Sequence, residues 1–328
     1  MLALFALLAT RGLALQQPSM DLETAEKTRF AGDVATWYGS HFEATPIHDW
    51  VPIREWNGPF HPILGEYSTS DRRVVRKHLE WMRRAGIDVI LYDVCRIQPE
   101  LTLFDLPKQK TLQILVNELS HQQKEKRKLK LALWLEKWNG NPTAEQYRFA
   151  LDYIHKNLAD KEFYYRLDGK PLVLRYLNDP APDFSAIDTE FSPFFTLRKI
   201  SPANAAGAWG YFFDPQSSAE SMTVNPGADG YMEGAFIGNK LNHQPIDENA
   251  LRAHGKDVVA ARRDGKLMEE ELLRVRAVDP KVVFVSGWND WAYCMQIEPA
   301  KEYGFRYVDE VARLLGRGDE TASYRQRN

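Results

Sequence analysis

Apolar and polar positions alternate in blocks along this chain. Short β-branched and aromatic runs at residues 34–38, 87–94, 129–135, 172–177, 194–197, 209–213 and 221–224 predict strands. A further run opens at Val282 and carries a strand to Trp288. Helical spacing fills the intervals. Asp71 or Ser70 is placed to cap a helix in which Val74, Val75, His78, Leu79, Met82 and Ala85 share one face, and Gly86 closes it. Leu112, Leu115, Val116 and Leu119 mark a second helix, and Pro142 opens a third with Tyr147, Ala150, Leu151, Ile154 and Leu158 inward. A long polar and helical segment precedes residue 282, and residues 303–315 form a closing helix.

Strands that alternate with helices define βα units around a parallel sheet. About eight such strands predict a (β/α)8 barrel. The rival, an open doubly wound sheet, usually carries a glycine-rich phosphate loop after its first strand. Trp37-Tyr38-Gly39-Ser40 lacks that glycine spacing. The expected organisation is an apolar leader at 1–16, one barrel domain at 31–315 and a polar, mobile tail at 316–328. The leader resembles a signal peptide without its basic start, which favours a secreted or periplasmic protein. It is too short to span a membrane, and no other segment is an apolar span.

Charge changes this picture only by exclusion. The formal net charge is -3 over 328 residues, so no basic field exists to hold nucleic acid or an anionic membrane. The basic cluster at 124–128 is expected to sit at a helix C-terminus. The two cysteines, Cys95 and Cys294, make no zinc spacing and are either one disulfide or two free thiols. His41, His48 and His61 match no ligand set, so no metal site is expected, and no organic cofactor either. No serine or cysteine nucleophile motif is present.

The chemistry concentrates after strands. Asp93, Glu136, Asp179, Asp214 and Asp290 each follow one, and in a parallel barrel such positions converge on one mouth. Glycoside hydrolysis needs two carboxyl groups, one to protonate the leaving oxygen and one to act as nucleophile or base. Asp179 and Asp214 precede proline, which suits turns. Glu136 and Asp290 instead stand beside tryptophan and asparagine: Trp138 and Asn139 in one case, Trp288, Asn289 and Trp291 in the other. Tryptophan offers a flat apolar face to a sugar ring. With 9 Trp in the chain, Trp56, Trp138, Trp288 and Trp291 are the candidate stacking surfaces, and His61 a candidate hydroxyl partner.

Two stretches carry a resemblance. His61-Pro62-Ile63-Leu64-Gly65-Glu66-Tyr67-Ser68-Thr69-Ser70-Asp71, with residues 78–88, resembles the N-terminal signature of the family 99 endo-α-mannosidases and of their family 71-like and WbsX-like relatives. Trp288-Asn289-Asp290-Trp291 and Gln296-Ile297-Glu298-Pro299 resemble that family's C-terminal signature. The resemblance implies a glycan-acting barrel without metal or cofactor, whose partner is an oligo- or polysaccharide. It also implies a catalytic pair of glutamates at positions 290 and 293, where this chain has Asp290 and Tyr293. A phenol, with an ordinary pKa near 10, is a poor proton donor in place of a carboxylic acid. Glu136, Asp93 and Glu233 are therefore the candidates for the second carboxylate. Asp290 and Glu136 lead, Asp93 stands behind them, and Glu298 and Tyr293 are candidate binding residues. The expected function is a glycoside hydrolase; the alternatives are a glycan-binding barrel and an intracellular polysaccharide-assembly protein of WbsX-like type.

Overall fold

A computed structural model describes residues 20–39, 60–65, 67–94, 106, 109–136, 141–177, 180–203, 208–213, 218–227, 262–291 and 295–325. The leader at 1–16 lies outside them. Among the described residues nine strands occur: β1 (Asp33–Tyr38), β2 (Val89–Asp93), β3 (Lys130–Leu135), β4 (Arg166–Leu167), β5 (Lys170–Tyr176), β6 (Thr196–Ala203), β7 (Ala208–Phe213), β8 (Ser221–Val224) and β9 (Val282–Val285). The described helices are α1 (Leu22–Lys27), α2 (Arg72–Ala85), α3 (Lys110–Ser120), α4 (Ala144–Asn157), α5 (Ser185–Phe191), α6 (Lys266–Val278), α7 (Arg306–Leu314) and α8 (Gly318–Arg325).

Eight strands form one parallel sheet in the order β7-β6-β5-β3-β2-β1-β9-β8, and β4 is a short antiparallel ribbon on β5. The sheet curls into a nearly closed barrel. Across the seam, the Thr223 hydroxyl of β8 donates to the Gly210 carbonyl of β7 at 2.6 Å. The architecture is the (β/α)8 barrel that the βα alternation predicts.

The strands are apolar on both faces because both are covered, as parallel sheets require. One set of side chains fills the barrel: Ala35, Trp37, Val89, Leu91, Ala132, Trp134, Leu172, Leu174, Val282 and Phe284. The alternate set, including Val34, Tyr38, Ile90, Tyr92, Leu131, Leu133, Val173, Val283 and Val285, packs under the helices. This period of two decides what stands at the mouth. The inward series 89, 91 continues to Asp93, 132, 134 to Glu136, 172, 174 to Tyr176, and 282, 284 to Ser286.

Helix signals act largely as the sequence predicts. The Asp71 carboxylate caps α2 through the Arg73 N–H at 2.8 Å, and Gly86 ends it at φ 77°. Thr143 and Gln146 form a reciprocal capping box on α4, so Pro142 lies one residue ahead of the cap rather than in the first turn.

Three expectations are corrected. The run at 194–197 is displaced: β6 starts at Thr196, and its Ile200 pairs with Tyr176 of β5. Its second half, Arg198-Lys199-Ile200-Ser201-Pro202-Ala203, has little apolar character, so the ladder to β5 supplies what periodicity does not. The cluster at 124–128 follows α3 rather than ending it. Its Arg127 donates to Asp88 at 2.5 Å and also pairs with Glu320. The C-terminal segment forms α8 instead of hanging free. Arg317 is 1% exposed, donates to the Gly86 carbonyl at 2.6 Å and the Gly32 carbonyl at 2.7 Å, and pairs with Asp88. It thereby ties the chain end to the base of the barrel. Breaking this cluster strands a partly enclosed carboxylate and two carbonyls. Arg317→Ala should lower the unfolding free energy by about 2 kcal/mol in urea denaturation. An unchanged midpoint would show that the docked segment contributes nothing.

Candidate active site

The mouth is assembled from strand ends. Asp93 closes β2, Glu136 follows β3, and Asp290 follows the turn after β9. Each carboxylate owes its place to local sequence. Asp93 and Glu136 complete the inward alternation of their strands. Asp290 depends on Gly287, which turns the chain at φ 84°. A Cβ there would stand 2.8 Å from the Met295 carbonyl oxygen and 3.0 Å from Asp290 Cβ, so the backbone can double back only at a glycine.

The three carboxylates act on one another. Burial pushes the Glu136 carboxyl well above its ordinary value of 4.5, and the negative charge of Asp93 pushes it in the same direction. The Trp134 indole N–H, donating to Glu136 Oε2 at 3.0 Å, partly opposes this, and the charge of Asp290 adds to the rise. Asp93 and Asp290 are each 2% exposed, whereas Glu136 is half-buried and reaches solvent. The result is a carboxylic acid that holds its proton more tightly than an ordinary glutamic acid, beside two enclosed acidic groups. Among the described residues no group of three His, Cys, Asp or Glu is placed to hold a metal ion.

The rest of the C-terminal signature braces this arrangement. Asn289 donates through Nδ2 to the Gly39 carbonyl at 2.8 Å and accepts from the Gly39 N–H at 3.0 Å. That clamp locks the loop after β9 onto the end of β1. Glu298 is fully buried and accepts from the Tyr67 hydroxyl at 2.7 Å and the Trp291 indole at 3.0 Å. It also faces His78 Nε2 at 3.1 Å, while His78 Nδ1 meets the Tyr38 hydroxyl at 3.1 Å. The two signatures thus meet in one buried hydrogen-bonded network between α2 and the loop that carries Asp290. Burial and the charge of Glu298 push the hydroxyls of Tyr38 and Tyr67 well above their ordinary value.

Two expected stacking surfaces are therefore corrected. Trp288 is 0% and Trp291 1% exposed. Trp288 packs edge-on to His78 in the outer core, and Trp291 packs with Tyr67 and Ala300. Neither presents a ring face to a sugar. Asn289 and Glu298 are spent on internal hydrogen bonds. His61 pairs with Glu302 at 2.7 Å near the surface, beside the Pro62–Ala300 bridge. Trp56, Trp138, Glu233 and Tyr293 lie outside the described residues, as do Cys95 and Cys294, Asp179 and Asp214, and His41 and His48. Trp134 and Tyr176 were not among the sequence candidates, although the period of two along β3 and β5 places both inward near the mouth. The network of Tyr38, Tyr67 and His78 had no sequence signal beyond the N-terminal resemblance.

No family model and no curated relative matches the sequence. Solved structures do match in fold. The architecture is that of glycoside hydrolase-like barrels, and in particular that of the GH99 endo-α-mannosidase from Bacteroides thetaiotaomicron. That enzyme, in a complex with bis-tris propane, superposes with a TM-score of 0.61 at 18% identity, over 89% of this chain and 98% of that one. A further structure of it gives 0.62 at 16% identity, over 89% and 98%. A glycoside hydrolase-like protein gives 0.52 at 17% identity, over 91% and 96%.

Two measurements check the site. Gly287→Ala should cost about 2 kcal/mol of stability, through positive φ and the close Met295 carbonyl; a neutral substitution would mean that the turn tolerates a side chain. The second concerns Glu136. Because its folded pKa is raised, the stability tied to its proton is fully present below 4.5 and is lost as pH rises through the higher folded value. Glu136→Gln should therefore gain stability relative to wild type with rising pH in denaturant titrations. Parallel pH curves for the two proteins would rule out a shifted proton.

Proposed function

We propose that this protein hydrolyses O-glycosidic bonds of an oligo- or polysaccharide, with Glu136 as proton donor and Asp290 as the opposing carboxylate. One observation carries the reading: an acid with its pKa raised by burial and by two neighbouring carboxylates, at the mouth of a glycoside hydrolase-like barrel. Glu136 would give its proton to the leaving glycosidic oxygen. Asp290 would attack the anomeric carbon or activate a water against it. Asp93 sustains the proton on Glu136 through its charge, and it is the next candidate for the base. The Glu expected at position 293 is not needed as acid in this scheme, because Glu136 supplies the proton from the opposite strand ends.

The fold neighbours make α-mannan the first substrate to offer, within a wider polysaccharide panel. Purified protein should release reducing ends from at least one member. Glu136→Gln should then cost several orders of magnitude in kcat, and Asp290→Asn should abolish turnover with the fold intact. The rate should fall as pH rises through the raised value of Glu136, since the donor loses its proton there. Near wild-type rates in both variants would refute the assignment. Saturable binding of a glycan without cleavage would instead favour a glycan-binding barrel, the reading that Tyr293 in place of glutamate motivates.

A further inference from the structure

With Trp288 and Trp291 enclosed, the ring that carries the sugar must lie elsewhere at the mouth. Trp37, Asp93, Trp134, Leu174 and Ser286 are all buried. Among the strand ends whose side-chain burial is described, Glu136 and Tyr176 are inward and half-buried, and both reach solvent. This accessible pair lies at the ends of β3 and β5.

The register makes these two neighbours. The β3–β5 ladder pairs Leu133 with Val173, Trp134 with Leu174 and Leu135 with Arg175. One further step along both strands sets Glu136 beside Tyr176, on the same inward face. Adjacent strands lie about 4.8 Å apart. That is about the width of a pyranose ring. Tyr176 also packs against the interior cluster of Trp134, Leu174 and Ile200, and part of its surface reaches solvent. A supported aromatic ring next to a proton donor suits the apolar C–H face of a sugar.

We propose that Tyr176 is the platform on which the pyranose at the scissile bond rests, placing its glycosidic oxygen within reach of Glu136. This rests on the glycoside hydrolase reading above and extends it to the binding of the reacting sugar. Recognition comes from the ring more than from the phenol hydroxyl. The ligand class is a pyranoside with one exposed apolar face.

The test uses full-length Glu136→Gln protein, which should bind without turnover, and an α-manno-oligosaccharide as probe in calorimetric titration. Adding Tyr176→Ala should weaken binding about tenfold, close to the value of one aromatic contact. Tyr176→Phe should stay within about threefold, because the ring is kept. Tyr176→Leu preserves apolar bulk against Leu174 and should fold even if the alanine variant does not; it should still lose about tenfold. If Glu136→Gln binds the probe and Tyr176→Leu binds it equally well, the platform is refuted while the glycosidase reading stands. If Glu136→Gln does not bind the probe at all, the platform for this sugar and the α-mannan reading both fall. Loss of binding in Tyr176→Phe equal to that in Tyr176→Leu would assign the contact to the hydroxyl and overturn the ring's role.

Discussion

A parallel strand closed into a barrel has one face in the interior and one under the helices, and its side chains alternate between them. That alternation is the constraint on which the rest of this molecule depends. It forces both faces to be apolar through most of each strand. Only at the C-terminal end, where the interior opens, can an inward position be polar without being stranded in the core. Asp93, Glu136 and Tyr176 are each the next inward step after two or more apolar ones. The core and the site are thus written in the same period, and the site begins where the core stops.

Polar groups placed there do not act independently. In a partly desolvated mouth burial raises the pKa of Glu136 most, and the field of the two neighbouring carboxylates raises it further. Glu136 differs from its neighbours in being the one that reaches solvent. A group whose proton is held more tightly and which faces the opening suits the donor role in the proposed reaction by position as well as by chemistry. The Trp134 indole, bonded to the same carboxyl, orients it and limits how far the pKa rises.

Precision of this kind needs a rigid frame behind the wall. The Trp-Asn-Asp-Trp and Gln-Ile-Glu-Pro stretches supply it from inside. Gly287 turns the chain, Asn289 clamps it to β1, and Glu298 gathers Tyr67, His78 and Trp291 into one buried network. A buried carboxylate is costly unless its lone pairs are filled, and here donors from three separate chain segments fill them. Aromatic residues flanking a carboxylate look like sugar-binding surfaces in sequence. In this loop they are the packing and hydrogen bonding that hold the carboxylate still.

Sequence by itself determined the barrel, most of its strands, the caps of α2 and the carboxylates at the strand ends. These follow from local periodicity and from capping chemistry, which need only a few neighbouring residues. The second half of β6 was not legible, because its residues are not apolar and only pairing with β5 makes them a strand. Nor was the docking of the C-terminus, since Arg317 finds Asp88 and the Gly86 carbonyl far away along the chain. Within the candidate site, sequence placed the acidic residues at strand ends but not the packing of the aromatic residues around them. Whether a tryptophan is a wall or a brace depends on which side of the backbone it leaves after a tight turn. The turn at Gly287 breaks the strand's alternation, so periodicity says nothing about Trp288 and Trp291. Tertiary packing decided that, and it decided the proton on Glu136 too, because a pKa is set by burial and by charges that only the closed barrel brings together.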